Sequence, residues 1–81
     1  MRDPMELIAY IAVNLVDNPD EVQIEKVAGA DEDIYRLSVH PDDLGKIIGK
    51  GGQTAKAVRT LLQSFGARNG LRFGFEIVDE E

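Results

Sequence analysis

The pattern of apolar and polar positions begins with a helix between Asp3 and Pro19. Asp3 is a favourable residue just before a helix, and Pro4 is favourable at the first helical position. The helix is expected to end at the run 17–19, which contains Pro19. The apolar positions that recur at helical spacing are Ile8, Ile11, Ala12 and Leu15. Further apolar residues widen this stripe, so we expect the helix to pack on more than one side.

Two strands are predicted next, over 21–28 and 34–40, joined by a polar turn at 29–33. The second strand alternates clearly, with Tyr35, Leu37 and Val39 on one face. Strands this close in sequence, with a short turn, predict a β-hairpin.

The second half of the chain predicts two helices and a strand. A short helix runs from Pro41 through Ile48, and a longer one from Gln53 to Phe65, with Gly66 as the residue that ends it. The core face of the longer helix holds Ala55, Val58, Leu61, Leu62 and Phe65, and its polar face holds Lys56, Arg59 and Gln63. A last strand alternates over 71–78. The order α-β-β-α-α-β predicts an α+β fold with a three-stranded sheet and three helices.

Length and composition limit the function classes. The chain has 81 residues, enough for one domain over 1–81, with no Cys and one His. Disulfides, thiolate metal sites and thiol catalysis are therefore excluded. The apolar run at 7–16 is too short to span a bilayer, and acidic residues precede it where a signal peptide carries basic ones. We expect a cytoplasmic protein without membrane insertion.

The charge is distributed in blocks. The net charge is −6, yet residues 44–75 hold 6 basic side chains and no acidic one. Residues 1–43 hold 3 basic and 11 acidic side chains, and residues 76–81 hold 4 acidic ones. Because salt screens exposed charges over about 8 Å, a local basic patch matters more to a ligand than the total. Alternatively, the acidic blocks neutralise the basic one in the fold.

The basic block contains a glycine-rich loop, Gly49-Lys50-Gly51-Gly52, between the two helices. Glycine allows a ligand backbone to approach the loop, and the N–H groups of the following helix favour phosphate. Walker A and the dinucleotide motif G-x-G-x-x-G both fail at this spacing. The loop therefore predicts a site for a phosphodiester backbone.

The run from Ile47 to Gly52 resembles the I-G-x-x-G signature of KH domains, and the element order resembles the type II, bacterial KH topology. The resemblance covers the whole chain. The runs 43–51 and 54–62 are similar to the KhpA family of small bacterial RNA-binding proteins. Two positions depart from that family: Gly51 and Gln53 stand where polar or basic residues are frequent, which weakens phosphate binding modestly.

The resemblance implies a clamp on single-stranded RNA, with site residues Lys46, Ile47, Ile48, Gly49, Lys50, Gly51, Gly52, Gln53, Thr54 and Lys56. It also implies base recognition by the backbone near 37–39 and base approach beside Ala57. Family members resemble modules that form homodimers or heterodimers with KhpB-like (Jag-type) proteins, are linked to RNA chaperone activity and, in some bacteria, to cell shape and wall growth. No cofactor and no small-molecule substrate are implied.

Two hypotheses remain open at this point. One is an RNA-binding module, favoured by the intact loop and the acid-free block. The other is a dimerisation or protein-docking module with a degenerate KH fold, favoured by the acidic majority. An enzyme is not expected, because the sequence offers no nucleophile–base pair, no metal set and no carboxylate in the expected groove. His40 is interpreted as a strand-end residue.

Overall fold

A computed structural model describes residues 3–79, in which three helices cover one face of a three-stranded sheet. The elements follow the predicted order and are α1 (Pro4–Leu15), β1 (Gln23–Ala28), β2 (Asp33–Ser38), α2 (Leu44–Ile48), α3 (Gln53–Asn69) and β3 (Phe73–Ile77). The α+β fold is confirmed. The predicted domain bounds, residues 1 and 81, lie outside the described residues.

Helix α1 starts as the sequence predicts. The Asp3 carboxylate accepts a hydrogen bond from the Met5 N–H at 2.9 Å, and Pro4 occupies the first turn. The helix buries Ile8 and Ala12, but Tyr10 remains 62 % exposed. Leu7, Ile11 and Val16 are partly buried against the core, so the apolar stripe is wide, and α1 contacts β1, α2 and α3.

The sheet order is β1-β2-β3, which places β2 in the centre. Strands β1 and β2 form the predicted antiparallel hairpin, and β2 pairs with β3 in parallel after the crossover through α2 and α3. Ile24, Leu37 and Ile77 lie side by side in this register. Both hairpin strands are shorter than predicted because 3₁₀ turns occupy Pro19–Glu21 and Pro41–Asp43.

The core lies between the sheet and the helices. Its buried apolar residues are Ile8, Ala12, Tyr35, Leu37, Ile47, Val58 and Leu62. The rings of Tyr35 and Phe73 pack edge to face, with centroids 5.6 Å apart. On the opposite face of the sheet, Arg36 lies 3.6 Å from Glu25 and 3.4 Å from Glu76, so that face carries a charged row.

Helix α3 continues past Gly66, which corrects the prediction that this glycine ends it. Gly66 is buried, and a Cβ there would lie 2.8 Å from the Leu71 carbonyl oxygen. Glycine is therefore required for close packing of α3 against the start of β3. The helix ends instead at Gly70, which has a left-handed backbone with φ 65°.

Candidate nucleic-acid interface

The glycine-rich loop joins α2 to α3 in a single tight turn. Gly49 ends α2 with φ 78° and ψ 170°, a combination essentially restricted to glycine. A Cβ at this position would collide with the Thr54 side chain and would lie 2.8 Å from its backbone nitrogen. Gly49 therefore allows the loop to fold directly onto the first turn of α3.

The outer part of the loop is open. Gly51 and Gly52 have φ values of 64° and 77°, and a Cβ on either would meet nothing within 4 Å. No side chain caps the N-terminus of α3, so the N–H groups of its first turn have no side-chain partner. Lys50 is exposed beside them. The Gly52 and Gln53 N–H groups already donate to the Gly49 and Lys50 carbonyls, so the loop presents accessible backbone and one cation beside the N–H groups that follow Gln53 in α3.

The other predicted site residues differ in accessibility. Ile47 is 1 % exposed, so its side chain supports the loop from the core and has no surface to offer a ligand. Ile48 and Thr54 are half-buried on either side of the loop, and Gln53 and Lys56 are exposed on α3. The structure therefore brings together the predicted residues from 48 to 56 on one accessible surface.

Lys46 belongs to a separate ionic cluster. Its Nζ lies 3.1 Å from an Asp17 carboxylate oxygen and 3.9 Å from Asp43. The hydrogen bond and the charge of Asp17 raise the pKa of Lys46. The predicted role of Lys46 as a free counter-charge is therefore weakened, because its ammonium group is already paired with acids.

Asp43 connects that cluster to the end of α1. It is 1 % exposed, and its carboxylate accepts hydrogen bonds from the Asp17 N–H at 3.2 Å and from the Asn18 N–H and side-chain amide at 3.0 Å each. Burial alone raises the pKa of Asp43, but these hydrogen bonds and Lys46 outweigh it and hold the pKa below 3.8. Asp43 thus fixes the start of α2, from which the loop extends.

Most cations of the basic block have no acidic partner within the described part of the chain. Within residues 3–79, no carboxylate lies within 4 Å of Lys50, Lys56, Arg59 or Arg68. Arg72 lies 4.0 Å from Glu32, a marginal ion pair. Among the carboxylates of residues 3–79, the alternative that the acidic blocks neutralise the basic block therefore holds for Lys46 and, weakly, for Arg72 only.

The accessible sheet edge near α3 is β3. The prediction that backbone groups near 37–39 contact bases is wrong, because β2 is the central strand and is paired on both sides. The Leu37 carbonyl, for example, accepts a hydrogen bond from the Val78 N–H at 2.8 Å. Strand β3 has no partner strand on its outer side among the described strands, so no strand occupies its outward backbone groups.

A cleft lies between α3 and β3. Its lining includes Arg59, Gln63, Leu62, Gly66, Phe73 and Phe75. Arg59 Nη1 donates to the Phe75 carbonyl oxygen at 2.6 Å, and its guanidinium carbon lies 5.5 Å from the centre of the Phe75 ring. The Glu32 carboxylate also lines the cleft, which corrects the expectation of a groove without carboxylates.

Sequence reasoning missed Arg59 as a site residue. The available signal was its spacing, since Lys56, Arg59 and Gln63 recur at i, i+3 and i+7 on one flank of α3. Ala57 does not line this cleft, but it lines a shallow hollow on the outer side of α3 together with Gln53 and Lys56.

The helices were also compared with the length of a bilayer span. Within residues 3–79, no helix combines the length and the apolar character needed to cross a membrane.

Comparisons with known proteins find matches in one family. A family model described as the KhpA/KhpB KH domain matches residues 5–77. The chain is 54 % identical over 76 residues to the RNA-binding protein KhpA of Chlamydia pneumoniae, covering 94 % of this chain and 97 % of that protein. The protein of the same name from Treponema pallidum is 47 % identical, and the match covers 91 % of this chain and 92 % of that protein. The one from Clostridium acetobutylicum is 44 % identical, and the match covers 90 % of this chain and 97 % of that protein. No solved structure gives a significant match.

Proposed function

The chain belongs to the KhpA/KhpB family of KH domains, and from this premise we propose that it binds single-stranded RNA through the Gly49–Gly52 loop. The observation that carries the proposal is the open backbone of that loop, with Gly51 and Gly52 at positive φ and unobstructed. Its relatives bear the name RNA-binding protein, which supports the same ligand class.

The loop would hold the phosphodiester backbone by three contacts. The N–H groups at the start of α3 would donate to a phosphate, the dipole of this 17-residue helix would favour its negative charge, and Lys50 would add a point charge. Lys56, one turn into α3, would neutralise a second phosphate. These contacts explain affinity for a backbone but no base preference.

The bases would enter the cleft between α3 and β3. The half-buried rings of Phe73 and Phe75 in that cleft would offer apolar contact to an unpaired base, and the outer edge of β3 would offer backbone hydrogen-bonding groups. A duplex presents its bases paired and stacked inside, so the cleft favours single strands.

The proposal is tested by the double variant Lys50→Asp/Gly51→Asp. It places two carboxylates where the phosphate would lie, so we expect binding of a labelled single-stranded RNA, measured by fluorescence anisotropy, to fall below detection. Arg68→Asp/Asn69→Asp is the matched control, since it makes the same change in net charge at the other end of α3. Equal binding by the loop variant and the wild type would refute the loop assignment.

A second function, self-association, is favoured by the outer side of α3. Leu61 is 50 % exposed there and lines a hollow with Ala57 and Thr60. A second copy of this chain, or a KhpB-like protein, docked at the Leu61 end of this hollow would leave Lys56, at the end nearer the loop, to RNA and would join two RNA sites, which raises avidity. Leu61→Asp should convert a dimer to a monomer in light scattering, whereas Val13→Asp, at a 40 % exposed site on α1, should not. A monomeric wild type, or a Leu61→Asp dimer, would contradict this.

The broader roles that the resemblance implies rest on these two functions. RNA chaperone activity would follow from weak, sequence-tolerant contacts on paired modules, and acceleration of strand annealing by the wild type but not by the loop variant would support it. An effect on cell shape and wall growth stays a prediction, to be checked by microscopy of cells that lack the gene or carry the loop variant.

A further inference from the structure

The outer edge of β3 has an unusual hydrogen-bonding character. Val78 donates its N–H to the Leu37 carbonyl of β2. In a parallel pair, alternate residues turn both backbone groups toward the partner strand, so Phe73, Phe75 and Ile77 turn theirs outward. An exposed edge of this kind normally offers donors and acceptors in alternation.

Arg59 changes that pattern at Phe75. Its Nη1 donates to the Phe75 carbonyl oxygen at 2.6 Å, which occupies the acceptor at the middle of the edge. A guanidinium group has five N–H donors and no acceptor, so several donors remain available. Within residues 3–79 no carboxylate lies within 4 Å of this group to use them. Within residues 3–79, the middle of the edge therefore presents several donors beside one carbonyl that already accepts a hydrogen bond.

The guanidinium group is also held in place. It lies over the face of the Phe75 ring, with the guanidinium carbon 5.5 Å from the ring centre, and is fixed at its other side by the carbonyl. Arg59 follows Gln53 by six residues, or about 9 Å along the helix axis. An RNA strand with one phosphate bound at the Gly49–Gly52 loop would bring a neighbouring base to the guanidinium group of Arg59.

From these observations we propose that Arg59 selects the base bound at the β3 edge, and that it selects guanine over adenine. Guanine presents two adjacent acceptors, O6 and N7, which match two donors of a fixed guanidinium fork. Adenine presents an amino donor beside N7, so it matches at most one donor of the fork, and the nearby Phe75 carbonyl already accepts a hydrogen bond from Arg59. The inference rests on the proposed RNA-binding function and adds a base preference to it.

The preference can be measured with single-purine probes. Labelled eight-nucleotide uridine RNAs carrying one central guanine or one central adenine are titrated with the full chain by fluorescence anisotropy. We expect the guanine probe to bind at least about 5-fold more tightly, the lower end of the effect of a bidentate arginine–guanine contact. A probe with 7-deazaguanine, which lacks the N7 acceptor, should lose most of this advantage.

Arg59→Lys separates base selection from charge. Lysine keeps the positive charge but lacks the fork, so we expect binding to persist while the guanine-to-adenine ratio falls to near one. Arg68→Lys is the matched control on the same helix and should leave the ratio unchanged. Circular dichroism with thermal unfolding establishes that each variant is folded, and for a destabilised variant the probes are compared below its unfolding transition.

The outcomes distinguish this inference from the function it rests on. If the wild type binds both probes equally and this binding depends on the Gly49–Gly52 loop, base selection by Arg59 is overturned and the RNA-binding proposal stands. An Arg59→Lys variant that retains the wild-type ratio would do the same. Wild type that binds neither probe, or binding that survives Lys50→Asp/Gly51→Asp, would overturn the RNA-binding proposal itself.

Discussion

Replacing Gly49 with alanine tests how the loop is held against α3. Gly49 has φ 78° and ψ 170°, and the added methyl group would overlap the Thr54 side chain. Two costs therefore arise at one position: a backbone conformation that L-residues avoid, and a steric clash with the first turn of the helix.

The magnitude follows from these two costs. The backbone conformation costs about 1–3 kcal/mol, and overpacking adds about 1–3 kcal/mol. We therefore expect Gly49→Ala to lower the free energy of unfolding by about 2–6 kcal/mol. A domain of 81 residues has a total stability of roughly 4–12 kcal/mol, so the loss would be a large share of it.

Gly51→Ala is the matched control. Its φ is 64°, so a left-handed residue costs about 1–2 kcal/mol, but the Cβ would meet nothing within 4 Å. Both substitutions reduce the entropy of the unfolded chain equally, so that contribution cancels in the comparison. Urea unfolding followed by circular dichroism gives the two free energies. If Gly49→Ala costs no more than Gly51→Ala, the described packing of the loop on Thr54 is refuted.

Three further predictions test the core, the Asp43 contacts and the electrostatics. Leu62→Ala, at a 2 % exposed site, should lower the free energy of unfolding by about 2–5 kcal/mol. Leu61→Ala, at a 50 % exposed site on the same helix, should lower it by under about 1 kcal/mol. Equal losses in urea unfolding would contradict the orientation of α3. The pKa of Asp43 is lowered in the folded state. The charged carboxylate therefore stabilises the fold fully above about pH 3.8, and this stabilisation is lost as the pH falls through the pKa of the folded state. Melting temperatures from about pH 6 to about pH 2 should therefore fall less steeply for Asp43→Asn than for the exposed control Asp42→Asn, and parallel curves would exclude this role. Raising salt from about 50 to about 200 mM should weaken RNA binding with a slope set by a few phosphates, and an affinity independent of salt would argue against a backbone clamp.

The element order and the loop could be predicted because each depends on local pattern. Apolar periodicity defines the helices and strands, and the glycines at 49–52 mark the turn between two helices. The end of α3 could not be predicted in the same way. Gly66 resembles a helix terminator in sequence, yet its role depends on the approach of Leu71, a contact made only in the folded chain.

The composition of the site was less predictable than its position. Sequence alone places Lys46 in the basic block, but the pairing with Asp17 requires the end of α1 to lie beside α2. Arg59 has the appearance of an ordinary surface cation until the sheet order brings the Phe75 carbonyl to the outer edge. Both side chains depend on long-range packing, which periodicity does not encode.

The central claim is that RNA lies on the Gly49–Gly52 loop and along the cleft between α3 and β3. An NMR titration of the ¹⁵N-labelled chain with a short single-stranded RNA tests it most directly, because each backbone amide reports its own contact. We predict the largest shift changes at Lys50, Gly51, Gly52 and Gln53, with a second group at Arg59 and Phe75. Shift changes confined to the opposite sheet face around Glu25 and Arg36, with the loop amide shifts unchanged, would contradict this placement of the RNA.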